Sequence, residues 1–210
     1  MLDDFFFKQI CDLIFQSGVK GAVWQKYEPE IRKEFRDYNV RKVARYTQKD
    51  VERMLANPRM LKNRRKIEAC IHNAKEMVAI SKEYNGFWHF LDSDSIENLV
   101  EKLKSNLKFM GYTNAYAFLR YVGMEVIKPD LNVVRVLFRL GLIDSEKRSI
   151  ETYKQIQEVG KRMAEASGVR MAIIDYTLYL FGSGEKPFVR YAVCGLKPRC
   201  EECPVEQYCY

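Results

Sequence analysis

The sequence predicts an all-α protein, and three observations carry that reading. Apolar residues recur at helical spacing in one segment after another, as in Ile67, Cys70, Ile71, Ala74 and Val78, and again in Val133, Val134, Val136, Leu137, Leu140 and Leu142. Such segments open on start signals: Thr47-Gln-Lys-Asp50 has the form of a capping box, and Pro129 followed by Asp130 places a helix start sharply. The 210 residues, 47% of them hydrophobic, are enough for one compact unit or two intimately packed lobes with a good core.

In chain order, residues 3 to 16 read as a helix that Asp3 or Asp4 can cap, with Phe6, Ile10, Leu13 and Ile14 as its buried face. Gln16 to Gly21 is a break with two glycines, which let another chain come close. Residues 22 to 35 form the next helix, carrying Trp24, Tyr27, Ile31 and Phe35; aromatics at this spacing are more often core than ligand contacts. The capping-box helix carries Val51 and Leu55 and ends at Pro58. Asn63 to Glu83 is long and helical, with Arg64, Arg65 and Lys66 facing outward at its start as a solvated or phosphate-facing set. Phe87 to Phe90 is an aromatic knot, and Ser93 or Asp94 starts a helix to about Ser105. Glu151 to Glu165 is helical, Gly168 interrupts, Met171 to Phe181 is an apolar helix, and Gly182 to Pro187 is a loop. His72 and His89 lack metal-ligand spacing and read as structural or surface residues.

The net charge of +7 and pI near 9.0 suggest an anionic partner, nucleic acid first, although ordinary soluble proteins also carry such a surplus. No apolar run reaches the roughly 18 residues of a membrane span. The N-terminal MLDDFFFKQICDLIF is interrupted by acids and lacks a basic leader, so it does not read as a signal peptide. A cytoplasmic protein with reduced thiols is expected, nucleoid-associated if prokaryotic, and no repeat or low-complexity tract is visible.

The stretch from Leu107 to Leu142 organises the chain. A turn at Gly111 leads into an Ala-rich helix start, and the single acid Asp130 stands at the mouth of the next helix. Read alone, Asp130 is an N-cap. In context, Leu107-Lys108-Phe109-Met110-Gly111, Ala115, Asp130-Leu-Asn-Val-Val-Arg-Val and Arg139-Leu-Gly-Leu resemble the helix-hairpin-helix (HhH-GPD) DNA glycosylase superfamily. That superfamily places a hairpin, apolar-x-Gly-apolar-Gly, before a helix that opens with a catalytic Asp. The first hairpin Gly is Phe109 here, a variant similar to the bacterial 3-methyladenine DNA glycosylase I subfamily.

Residues 5 to 74 resemble the same subfamily through Ile10-Cys11, Gly18, Phe35, Asp50-Val-Glu-Arg53, Arg64, Lys66-Ile67 and Asn73-Ala74. Two departures stand out. Leu13 occupies the position of the subfamily's base-recognising Glu, and Gly21 that of its pocket Trp, with Trp24 one turn later. Leu cannot replace the hydrogen bonds a carboxylate makes to a purine edge. The likeness over this front half makes an alkylated purine such as 3-methyladenine the leading substrate, and Leu13 keeps an oxidised or deaminated base as the alternative.

Four of the six cysteines crowd into the tail as Cys194-x5-Cys200-x2-Cys203-x5-Cys209. Thiolates so spaced suit one soft ion or cluster, zinc or iron–sulfur. Structural zinc sites typically pair two short knuckles, whereas this run has one x2 step between two x5 steps. It resembles the C-x6-C-x2-C-x5-C loop of endonuclease III and the adenine glycosylases, one residue shorter in the first gap, and the resemblance favours a 4Fe–4S cluster over zinc. Lys197 and Arg199 between the first ligands would let the loop touch phosphate. Cys11 and Cys70 lie on apolar helix faces and read as core.

The resemblance implies a central domain over 22–125 ending in the helix-hairpin-helix, and a second lobe of 1–21 plus 126–210 carrying Asp130 and the cluster loop 194–209. It implies a monomer that binds double-stranded DNA containing a damaged base. Lys108, Phe109, Gly111, Tyr112, Thr113 and Asn114 would hold phosphates, which positions the duplex without reading its sequence. Leu13, Gln16, Val19, Lys20, Trp24 and Tyr27 would form the base pocket or the wedge that fills the vacated stack, with the aromatic rings attracting a cationic base. Asp130 would stabilise positive charge on the sugar. Bifunctional relatives use a Lys near the position of Thr113; Tyr112, Thr113 and Asn114 carry no amine, so the implied activity is monofunctional, without AP lyase action. Two alternatives stay open: a non-catalytic helix-hairpin-helix DNA-binding protein, and a small zinc protein unrelated to DNA.

Overall fold

A computed structural model describes residues 2–19, 21–184 and 191–209 of the chain. Eleven α-helices and two short 3-10 turns make up its regular structure, with no strand among the described residues. The all-α expectation holds. No described helix is long and apolar enough to cross a membrane.

The chain divides into two compact units, Met1–Phe118 and Leu119–Tyr210. The first holds α1 (Leu2–Gln16), α2 (Gly21–Glu34), α3 (Val40–Val43), α4 (Gln48–Ala56), α5 (Arg64–Glu83), α6 (Phe87–Leu91), α7 (Ile96–Asn106) and most of α8 (Tyr112–Tyr121). The second holds the end of α8, α9 (Leu131–Arg139), α10 (Ile150–Ser167), α11 (Met171–Ser183) and the Cys-rich tail. This division differs from the expected lobes of 22–125 and 1–21 plus 126–210. The first helix stays with the N-terminal unit because its buried residues, among them Phe7, Ile10, Cys11 and Ile14, pack on α5 and α6.

Burial of that apolar face also explains a change of role at the N-terminus. Asp3 and Asp4 lie inside the first turn of α1 and cap other helices instead. The Asp3 carboxylate accepts the Phe87 N–H at the start of α6 (3.3 Å), and Asp4 accepts the Val40 N–H at the start of α3 (2.8 Å). Around this junction the Phe6, Phe87 and Phe118 rings meet with centroids 5.8 to 6.4 Å apart, a tilted and edge-on cluster of the kind aromatic quadrupoles favour.

Helix starts follow their local chemistry. Thr47 and Asp50 close a reciprocal capping box, and the Asn63 side chain caps α5 through the Lys66 N–H. The cap of α7 is Ser95, rather than the expected Ser93 or Asp94; its hydroxyl accepts the Asn98 N–H while Asp94 accepts the Ser95 N–H.

One exposed residue of the sequence reading is inside. Arg64 and Arg65 do face solvent, but Lys66 is only 6% exposed. Its ammonium donates to the Phe15 carbonyl (2.9 Å) and the Ser17 carbonyl (2.6 Å), two acceptors left over at the end of α1. Burial pushes the Lys66 pKa down, and these carbonyls are what make the site tolerable. Lys66→Met keeps the apolar stem and removes the donors, so it is expected to cost about 1–3 kcal/mol, read as a lower urea midpoint.

In the second unit α11 packs against both α9 and α10. Gly182 permits the close approach of α9: a Cβ there would lie 3.0 Å from both the Asn132 carbonyl oxygen and its Cβ. Val133, Val134, Val136 and Leu137 are buried on α9, while Leu142 lies beyond the helix and is 43% exposed. The expected loop from Gly182 starts later, since α11 runs to Ser183; its remainder, 185–187, lies outside the described residues.

Candidate active site

Asp130 is the N-cap of α9. Its Oδ1 accepts the Asn132 N–H (2.9 Å) and the Val133 N–H (3.1 Å), while Oδ2 lies 3.7 Å from the Lys128 ammonium. One oxygen thus fixes the carboxylate to the helix start and the second faces a cation. The side chain retains 16% exposure, so it is held without being sealed off.

The segment before Asp130 has no helix to satisfy its peptide groups, and buried side chains of α10 and α11 do so. The Gln157 amide bonds both the N–H (2.9 Å) and the carbonyl (2.7 Å) of Ile127. The Lys128 N–H donates to Asp175 Oδ1 (2.6 Å). Glu125 accepts the Met171 N–H, capping α11 (2.8 Å). Sequence reasoning missed Gln157 and Asp175. Their signal is a polar side chain inside an apolar helix, most visible for Asp175 in Met171-Ala-Ile-Ile-Asp-Tyr-Thr-Leu.

The hairpin belongs to the first unit. Its left-handed residue is Phe109, with φ of +60°, and not Gly111. A bulky residue there is strained by about 1–2 kcal/mol. Neighbouring side chains hold it: the fully buried Asn73 accepts the Lys108 N–H (2.8 Å) and donates to the Lys108 carbonyl (3.0 Å), and the Asn114 amide donates to the Phe109 carbonyl (2.8 Å). Asn73 is a third residue whose role sequence reasoning missed. Lys108, Phe109 and Gly111 are exposed, with Tyr112, Thr113 and Asn114 half-buried. Lys104 donates to the Tyr112 hydroxyl (2.8 Å). An open groove lined by Arg65, Glu68, Ala69, Lys108 and Phe109 brings one exposed Arg of α5 beside the hairpin. Arg64 instead pairs with Glu52 at 2.8 Å.

Of the expected pocket or wedge residues, Leu13 is buried at 7% exposure, Gln16 is exposed, and Val19, Trp24 and Tyr27 are half-buried. Trp24 stacks near Phe15, with centroids 6.5 Å apart. Lys20 lies outside the described residues.

In the tail, Cys194 and Cys209 both meet Arg139. The Arg139 guanidinium donates to Cys194 Sγ (3.6 Å) and to the Gly195 carbonyl (2.7 Å), and Cys209 Sγ donates to the Arg139 carbonyl (2.9 Å). Cys194 is buried, Cys203 half-buried, and Cys200 and Cys209 exposed. Among the described residues no three metal-ligating side chains are grouped to hold one ion. The donor set nonetheless suits a soft group: four uncrosslinked thiols, one of them receiving a guanidinium N–H. Arg199, expected to be available to phosphate, pairs with Glu202 (2.7 Å) and lies over the Tyr191 ring (3.7 Å).

A family model described as methyladenine glycosylase matches residues 2–106, half of the chain. The chain belongs to the methyladenine glycosylase family. For this family member the match covers α1 to α7 and ends just before the hairpin. It is similar to the DNA-3-methyladenine glycosylase of Haemophilus influenzae, 26% identical over 140 residues that cover 56% of this chain and 76% of that protein. A crystal structure of 3-methyladenine DNA glycosylase I matches with a TM-score of 0.50 at 26% identity, covering 58% of this chain and 79% of that one. The likeness to Methanocaldococcus jannaschii 8-oxoguanine glycosylase/lyase, in complex with a 15mer DNA containing 8-oxoguanine, reaches further: a TM-score of 0.59 over 87% of this chain and 83% of that one, at 20% identity. At that identity it shows a shared fold, one that extends well beyond the family match.

Proposed function

We propose that this family member is a monofunctional DNA glycosylase of base excision repair, acting as a cytoplasmic monomer on double-stranded DNA and releasing an alkylated purine such as 3-methyladenine. The observation that carries the reading is the family match over the N-terminal half, with Asp130 supplying a carboxylate in the second unit that one oxygen anchors and the other leaves open to charge. The C1′–N bond of the damaged nucleotide breaks with its electron pair leaving on the base. The Asp130 carboxylate stabilises the cationic sugar, water adds at C1′ and passes its proton to solvent, and an abasic site remains. Tyr112, Thr113 and Asn114 offer no amine for a Schiff base, which supports hydrolysis without strand cleavage.

The exposed hairpin and Arg65 support phosphate contacts, and the half-buried Trp24 and Tyr27 supply aromatic faces for an alkylated, cationic base. Buried Leu13 cannot hydrogen-bond a purine edge, which keeps an oxidised or deaminated base as the second reading. Dimethyl-sulfate-treated duplex DNA and oligonucleotides carrying uracil, hypoxanthine, 8-oxoguanine or an oxidised pyrimidine separate the two. Free 3-methyladenine, with strand breaks only after hot alkali, is the expected result; release of another base instead would reassign the substrate, and binding without release would leave a DNA-binding module.

Cys194, Cys200, Cys203 and Cys209 would hold a 4Fe–4S cluster that ties down the tail, with zinc as the alternative. Protein purified without oxygen is expected to absorb near roughly 400 nm, as iron–sulfur thiolate ligation does, and Cys203→Ser to lose most of that band. A colourless protein carrying stoichiometric zinc would decide for zinc.

A further inference from the structure

Asp175 is an acid with no place in the glycosylase reading so far. It is 2% exposed, in the middle of the apolar helix α11. Its Oδ2 pairs with the Arg120 guanidinium at 2.6 Å, from the last turn of α8, and its Oδ1 accepts the Lys128 N–H at 2.6 Å. Both contacts lie within the second unit, and one of them is made to the backbone two residues before Asp130. Pro129 follows that peptide and has a fixed φ, so the chain has little freedom between Lys128 and the carboxylate it presents. Gln157 clamps the preceding residue, Ile127, on both sides, so Gln157 and Asp175 hold two successive residues of the segment that leads into Asp130.

We propose that Asp175 is a positioning residue for Asp130: its buried carboxylate, held between Arg120 and the Lys128 peptide N–H, fixes the backbone that presents Asp130 to the sugar. The proposal rests on the glycosylase reading. Charge on Asp175 matters as well as shape. The charged groups that face it are Arg120, the Lys128 ammonium and Asp130. Burial above all, aided by the negative charge of Asp130 and opposed by the pull of Arg120, pushes its carboxyl up to about 6. As pH falls through that value Asp175 takes up a proton and the ion pair to Arg120 is lost, so the hold on Lys128 weakens. Base release is therefore expected to fall on the acid side of about pH 6.

The test is single-turnover release of 3-methyladenine from dimethyl-sulfate-treated duplex DNA between pH 5 and 8, for wild type and Asp175→Asn. Asn keeps an acceptor for the Lys128 N–H and removes the charge. It is expected to slow release about tenfold at neutral pH, as small misplacements of reacting groups do, and to flatten the limb near pH 6. A folded Asp175→Asn with wild-type rate and the same acid limb would overturn the proposal. A second measurement is independent of turnover: the carboxyl carbon of Asp175 is titrated by NMR in wild type and in Asp130→Asn. Removing the Asp130 charge is expected to lower the Asp175 midpoint, and an unmoved midpoint would overturn the coupling, even where Asp175→Asn fails to fold. If wild type releases no base from any lesion, the glycosylase reading fails by itself, and the titration alone decides whether Asp175 and Asp130 act as a pair.

Discussion

Asp130→Asn is expected to retain DNA binding and the fold while base release falls by about a thousandfold or more, the scale on which removal of a transition-state charge partner is felt. The structural reason is that Asp130 does two separable things. Its Oδ1 caps α9 through two N–H groups, and an Asn side-chain oxygen accepts the same pair. Asn is as good an N-cap as Asp, so stability should change by no more than about 0.5 kcal/mol. What Asn cannot supply is negative charge opposite a sugar that becomes cationic as the glycosidic bond opens. Single-turnover release and fluorescence anisotropy on the same alkylated duplex measure the two properties separately. Undiminished release from the variant would reduce Asp130 to a helix cap and remove the catalytic assignment.

Gly184→Ala is expected to be the most damaging single-methyl change in the second unit. Gly184 ends α11 with φ of +65°, and a Cβ built there would lie 2.1 Å from the Ala192 nitrogen and 2.6 Å from the Tyr191 carbonyl carbon. Both neighbours are backbone, so no side chain can rotate aside. The left-handed conformation costs a non-Gly residue about 1–2 kcal/mol, and overpacking adds about 1–3 kcal/mol. The tail, which bonds back to α11 through the Cys194 N–H and the Phe181 carbonyl (2.9 Å), would have to move away. A loss of about 3 kcal/mol in urea unfolding is expected on those figures, together with loss of the absorbance near roughly 400 nm if the thiols hold an iron–sulfur cluster. A variant of unchanged stability would show that the tail can take another path past α11.

Much of the site was legible because its signals are local. A cap needs an acceptor two or three residues from the N–H it bonds, so Asp130 after Pro129, Asn63 before α5 and the Thr47–Asp50 box can be read from a few residues. Apolar spacing on α5 and α9 is local in the same sense, and it was enough to give an all-helical chain with Cys11 and Cys70 in the core.

The tertiary structure decided what depends on partners far along the chain. Lys66 reads as a surface cation until the carbonyls of Phe15 and Ser17, some fifty residues earlier, arrive to accept from it. Asp3 and Asp4 read as caps of their own helix until α3 and α6 bring the N–H groups of Val40 and Phe87 to them. Asn73 becomes the clamp of the hairpin only through Lys108, and that clamp helps hold Phe109 in a backbone conformation its sequence would refuse. Asp175 is an acid in an apolar helix until Arg120 and Lys128 surround it. The sequence by itself determined where helices begin, which faces are apolar and which residues are suited to the chemistry. Only folding assigned the buried polar groups, because desolvation makes such a group costly until a distant partner meets it.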